Sequence, residues 1–321
     1  MRGLPPILGR VLLCVLLGFA SNSPAQSYPA RPLRIVTGAP GSTAEFAARM
    51  VALGISGPLG QPVIVDPRST GGATVFGEIV ARAQPDGHTL LIIGSTLWVG
   101  PLFRKAPFDP IRDFSPISIV ADSPNILVVH ASLPVASVKD LIDLAKARPA
   151  ALNFSSSGVG SSPHLAGELF KSMTGVRMAH VPYKGAGASV IGLLGGEVQL
   201  CFASAASVTP HLNLGKLRAI AVTGAKPFSL LPDLPTIGAT VPGYEAGGAT
   251  GFFAPPRTPA AIIARLNREL TGFLSRAEVK ARFLNAGTEA VGSSPEQLAY
   301  TVKSDTAKWS KVIREAGIKL D

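Results

Sequence analysis

Short β-branched runs alternate with amphipathic segments from Leu33 to Ala254, and few architectures accommodate that order. It specifies strands returned to register by crossover helices, which is an α/β chain with largely parallel sheets. Strands are expected at Leu33–Thr37, Pro62–Asp66, Thr89–Ile93, Asn125–His130, Leu152–Ser155, Val198–Ala203, Leu217–Thr223 and Thr250–Ala254. The helices between them announce themselves by their first turns. Ser42 and Glu45 stand at capping-box spacing, with Phe46, Met50 and Leu53 recurring behind them, and Ser137 with Asp140 repeats the device ahead of Val138, Leu141, Ile142 and Ala145. Ser162-Pro163, Thr258-Pro259 and Ser294-Pro295 read as an N-cap followed by proline at the first helical position.

Two stretches read as passages between lobes. One is the extended apolar run Ile117–Val129; the other is Leu217–Thr223 with the Pro227, Pro232 and Pro235 connection behind it. The expected division is residues 26–123 with 224–321 in one lobe and 124–223 in the other. Two lobes joined by two crossings make a clamshell, and 321 residues suffice for both cores.

The N-terminus reads as a secretory signal, with Arg2 and Arg10 ahead of an apolar Val11–Ala20 run and small residues at Ser23 and Ala25. An apolar run that short cannot span a bilayer, so cleavage near Ala25 and export of the mature chain are expected. Cleavage takes Cys14 with it and leaves Cys201, so the mature chain has no internal disulfide. The formal charge of +10 falls by two when Arg2 and Arg10 go. Export argues against nucleic acid as a partner despite that excess.

Three Gly- and Ser-rich turns follow expected strands and open helices, where ligands collect in open α/β sheets. They are Thr37–Thr43, Ser155–Ser162 and Tyr183–Gly187. For the first, a capped helix start holding nothing is the competing reading. The second is harder to explain by packing, because hydroxyls crowd it. Neither GxxxxGKS nor GxGxxG occurs, Gly-x-Ser-x-Gly is missing, and His88, His130, His164, His180 and His211 stand apart, so no cofactor and no metal is expected. His164 beside Ser161 leaves a serine hydrolase as one alternative, with a plain supporting role for the imidazole as the other.

Taken in order, Leu33–Arg49, Ala83–Leu90, Ser157–Leu165, Val181–Gly185, Leu194–Val198, Gly215–Thr223 and Leu231–Thr236 resemble the substrate-binding proteins of tripartite tricarboxylate transporters, the Bug or TctC-like family. The resemblance implies a two-lobed periplasmic binding protein of type II, a Venus flytrap that takes a small organic carboxylate between its lobes and is not an enzyme. It implies integral-membrane permease subunits as partners and a monomer in solution, with a co-sensor of a membrane kinase as the alternative. Carried over, Ala39, Pro40, Gly41, Ser42 and Thr43 form the first anion loop, and Ser95 and Thr96 contribute after the third strand. Ser157, Gly158, Gly160, Ser161 and His164 form the second lobe's loop, with Tyr183, Lys184 and Gly185 beside it. Ala203 stands where many relatives carry Asp, which argues against an amino-acid ligand. Trp98 either lines the cleft or packs under the loop.

Overall fold

The computed structural model describes residues 28–40, 42–68, 72–212 and 214–318; the expected signal segment and Gly41 lie outside them. In chain order the elements are β1 (Leu33–Thr37), α1 (Thr43–Leu59), β2 (Val63–Pro67), α2 (Gly72–Ala81), β3 (Thr89–Gly94), α3 (Thr96–Val99), β4 (Ser115–Asp122), β5 (Asn125–His130), α4 (Val138–Ala147), β6 (Leu152–Ser156) and α5 (Ser162–Thr174). They continue with β7 (Met178–Pro182), α6 (Ala186–Leu194), β8 (Leu200–Ser204), α7 (Ala205–Leu212), β9 (Leu217–Val222), β10 (Thr250–Ala254), α8 (Ala260–Leu274), α9 (Ala277–Asn285), β11 (Glu289–Ala290) and α10 (Pro295–Ala316).

The strands form two sheets, ordered β11-β4-β10-β3-β1-β2 and β7-β6-β8-β5-β9. Each sheet contains the same device. In the first, β1 lies between parallel partners β2 and β3, and β10 then enters antiparallel between β3 and β4. In the second, β6 lies between parallel partners β7 and β8, and β5 enters antiparallel between β8 and β9. The antiparallel member is in both cases the strand that has just arrived from the other sheet. This is the two-lobed α/β architecture of the type II binding proteins.

Side-chain alternation explains why the strands read as unbroken apolar runs. Ile35, Leu90 and Ile92 join a cluster with Val51, Leu270 and Phe273, while their neighbours Val36, Leu91 and Ile93 join another with Phe76 and Phe253. Both faces are covered, as parallel sheets require. Helix α1 buries Ala47, Val51 and Ile55, a spacing of four, whereas Leu53 is exposed; the Phe46–Met50–Leu53 stripe expected from sequence is rotated from the true inner face. Gly54 lies on that inner face against Phe273, where a Cβ would come within 2.3 Å of the ring.

The caps follow the sequence in part. Ser42, Ser137 and Ser294 accept from Glu45, Asp140 and Gln297 backbone N–H groups. Ser161, not Ser162, caps α5, which puts Pro163 one place further in. Thr258 donates to the Pro255 carbonyl at 2.8 Å and leaves α8 without a side-chain cap. The Ile117–Val129 run is two strands, β4 and β5, parted by Ser123-Pro124.

The crossings are tied together. Asn125 and Thr223 exchange hydrogen bonds, the Thr223 hydroxyl donates to the Ala246 carbonyl at 2.8 Å, and the Gly248 N–H reaches the Asp122 carboxylate at 3.2 Å. Helix α10 reaches both lobes. It contacts β4 of the first sheet and α5 on the second, with Leu298, Val302, Trp309, Val312 and Ile313 buried. Among the described residues no helix is long and apolar enough to cross a membrane.

Candidate functional site

Register places the candidate turns side by side. Thr37 pairs with Ile92, and the buried Thr37 hydroxyl donates to the Ile92 carbonyl at 2.8 Å, so the turns after β1 and β3 leave one edge of the first sheet together. In the second sheet Ser156 pairs with Pro182 and Ser155 with Cys201, so the turns after β6, β7 and β8 also emerge together. A cavity of about 220 Å³ lies between a wall containing Ser95 and Thr96 and one containing Gly160 and Ser162. Of the residues expected from sequence, Ser95, Thr96 and Gly160 line it. Ala39, Pro40, Ser42 and Thr43 occupy the neighbouring turn, and Gly41 is outside the described residues.

The second-lobe turn is built from the inside. Gly158 and Gly160 sit at φ of +135° and +76°, conformations that a side chain disfavours. The Ser161 hydroxyl donates to the Gly158 carbonyl at 2.7 Å while accepting the His164 N–H as the helix cap. The Gly158 N–H goes to the Ser156 hydroxyl at 3.2 Å, and the Gly160 N–H goes to His164 Nδ1 at 3.0 Å. Two backbone donors that the sequence offered to an anion are therefore used to shape the turn. What remains for a ligand is the turn's other peptide groups and hydroxyls.

His164 is more than an isolated imidazole. It stacks on His180 with ring centroids 3.8 Å apart and planes within 16°, and His180 Nε2 contacts the Ser156 hydroxyl at 2.7 Å. Burial first, then the positive charge of His180 and Lys171, pushes His164 down to about 3; burial and Lys171 push His180 down to about 4. Both rings are thus neutral near pH 7. Neutrality is what the geometry needs, since protonated Nδ1 cannot accept the Gly160 N–H.

A serine nucleophile does not assemble here. Ser161 is committed to the Gly158 carbonyl, and the Nδ1 of His164 is committed to the turn. The one close Ser–His contact at the turn uses Ser156, whose exposure is 0%. Among the described residues no three His, Cys, Asp or Glu side chains are grouped to hold a metal ion.

The third turn packs beside the second. Tyr183 and Gly185 donate their N–H groups to the Ser156 and Ser157 carbonyls at 3.0 and 3.3 Å, and the Tyr183 hydroxyl donates to Glu197 at 2.7 Å. Gly192 lets the tyrosine ring lie flat on α6, since a Cβ there would come within 2.3 Å of the hydroxyl. Lys184 is exposed. Ala203 is buried on β8 opposite Ile126, in the apolar cluster with Val208 and Phe228.

Trp98 is core. It is fully buried, edge-on to Phe253, with its indole N–H directed to Asp305 at 3.3 Å. The tryptophan that reaches the cavity is Trp309 on α10, joined by Val99, Phe103 and Leu165. Sequence pattern gave no sign of these four, because apolar residues on helices far apart in the chain look like any other core positions.

Comparison with known proteins accounts for this arrangement. Residues 47–318 match the family model described as the tripartite tricarboxylate transporter family receptor. Protein BugT of Bordetella pertussis is 35% identical over 310 residues, covering 94% of each chain. A protein of Pseudomonas sp. strain P51, from the tcbD-tcbE intergenic region, is 34% identical over 95% of this chain and 94% of its own. Among solved structures, Rpa4515 of R. palustris with adipate is 37% identical with a TM-score of 0.74, covering 91% of this chain and 99% of that one. MatC of Rhodopseudomonas palustris with bound malate is 27% identical with a TM-score of 0.70, covering 89% and 100%. Paired sheets, edge-aligned turns and sequence similarity along nearly the whole chain converge, and the protein belongs to the tripartite tricarboxylate transporter receptor family of solute-binding proteins.

Proposed function

We propose that this protein captures a small organic carboxylate between its lobes in the periplasm and delivers it to integral-membrane permease subunits, without chemical conversion of the solute. The observation that carries this reading is the cavity whose two walls are helix-opening turns from different sheets, Ser95 and Thr96 facing Gly160 and Ser162. Helix N-termini and free hydroxyls favour an anion there without an arginine clamp. The similarity to proteins solved with adipate and with malate supports a carboxylate as that anion. The remaining contacts are assigned to Ala39–Thr43, Ser157–Ser161 and Tyr183–Gly185; Ala203 belongs to the apolar cluster under β8 instead.

In this reading the lobes are residues 26–123 with 224–321, and residues 124–223. Closure is a hinge motion at Asp122–Pro124 and at the 223–249 connection, and the receptor acts as a monomer after cleavage near Ala25. Protein purified from the periplasm should carry its solute, identifiable by mass spectrometry. Re-added at a hundred times its dissociation constant, that solute should stabilise the fold by about 2.7 kcal/mol in a thermal-shift assay. A panel of mono-, di- and tricarboxylates that leaves the melting curve unmoved would refute the assignment.

A further inference from the structure

Behind the polar turns the cavity changes character. Val99, Leu165 and Trp309 are held rigid in the core at 5%, 3% and 4% exposure, and Phe103 is partly exposed beside them. On Leu165's side of the cleft Val159, 41% exposed, faces the same space. Among the described residues, the lining of this cavity includes no ionisable side chain. Gly247 is shared with an adjoining cavity of about 210 Å³, and there the wall carries Asp122, Glu245 and Asp305.

The charge beyond Gly247 is one-sided. Asp305 is paired with Lys308 at 2.8 Å and receives the Trp98 indole N–H. The Lys308 ammonium also donates to the Glu245 carbonyl oxygen at 3.1 Å, and Asp122 is faced by Glu245 and Glu289 with the Gly248 N–H as a donor. One lysine among those carboxylates leaves nothing to welcome another anion.

We propose that the cleft selects an acid with one charged end and an apolar body, so that a monocarboxylate with a hydrocarbon or aromatic chain binds in preference to a dicarboxylate of equal length. This rests on the carboxylate reading above. With the first carboxylate on the turns at Ser95 and Gly160, a second one meets either Phe103, Leu165 and Trp309, where it loses water without gaining a partner, or the acids past Gly247, which repel it. A terminal methyl group or a phenyl ring escapes both penalties and gains contact area.

Hexanoate and adipate have equal chain length and differ in one terminus. In calorimetric titration of ligand-stripped protein, hexanoate or 3-phenylpropanoate should bind at least roughly tenfold more tightly than adipate. Phe103→Arg, at a partly exposed position, should move the hexanoate-to-adipate ratio at least about tenfold towards adipate. Adipate binding as tightly as hexanoate, or a ratio unchanged by Phe103→Arg, overturns the selectivity and leaves the carboxylate reading standing. If none of the three acids binds and the solute retained from the periplasm is not a carboxylate, that reading fails and this inference falls with it.

Discussion

Acidification from pH 7 to pH 5 is expected to lower the unfolding free energy by about 4 kcal/mol through His164 and His180 alone. The sign follows from where each imidazole takes its proton. Both are depressed in the folded protein, to about 3 and about 4, against an ordinary value of 6.5. Between pH 6.5 and about pH 4 the unfolded chain therefore binds protons that the folded chain refuses, and stability falls as pH falls through that window. Because both rings stay neutral in the fold at pH 5, the cost depends on the unfolded value, about 1.5 units at 1.36 kcal/mol each, or roughly 2 kcal/mol per ring.

Asp122 works in the opposite direction. Burial raises its carboxyl above the usual range, with Glu289 and Glu245 adding to the effect, so it takes up a proton more readily folded than unfolded. One such group offsets the two histidines only in part. Asp66, Asp86 and Asp109 are lowered, and their contribution is lost only as pH falls below the ordinary carboxylate range. Denaturant unfolding at the two pH values measures the difference, and imidazole NMR signals locate its source. Rings that titrate above pH 6 in the folded protein would remove this explanation. Because His164 stays neutral in the fold down to about pH 3, its bond from the Gly160 N–H should persist at pH 5 and the turn should keep its shape.

Much of this fold was legible because local chemistry and global topology agree. Asn125–His130 and Thr250–Ala254 have the expected boundaries, since both are apolar runs buried on both faces and bounded by turn residues. The strands without a signal are those at sheet edges. Met178–Pro182 carries proline and buries only Met178 fully, and Glu289–Ala290 is two residues paired with β4. Edge positions demand less of a sequence, so they advertise less.

The site divides along the same line. Turns that open helices are local objects, and Ser42 and the Ser157–Ser161 loop could be found by spacing. The apolar wall is assembled by α3, α5 and α10, and Phe103 and Trp309 are some two hundred residues apart. No local pattern reports such a meeting. The tryptophans show the limit: sequence left Trp98 open between cleft and core, and the structure buries it while helix α10 brings Trp309 to the cavity.

The Gly158→Val variant should lose ligand binding by about ten- to a hundredfold for each backbone donor displaced, while retaining a cooperative fold. Gly158 holds φ +135° at the centre of the turn, with its carbonyl accepting both the Ser161 hydroxyl and the Ser161 N–H. A β-branched residue cannot hold that φ without strain of roughly 1–3 kcal/mol, and the relief available is to rotate the peptide groups that face the cleft. The space around the position is open, the nearest non-adjacent atom to a Cβ being the Tyr183 carbonyl oxygen at 3.7 Å, so the damage stays in the backbone of the turn. Gly167 provides the contrast. It lies on the inner face of α5, where a Cβ would come within 2.2 Å of the Phe154 ring, so Gly167→Val forces the helix off β6 and should cost about 1–3 kcal/mol or more by overpacking. The two variants therefore separate site from scaffold. Calorimetric titration with the solute retained by wild-type protein, set beside each variant's melting temperature, should show affinity lost in Gly158→Val with a modest drop in melting, and melting lost in Gly167→Val. Wild-type affinity in a folded Gly158→Val protein would place the ligand away from this turn.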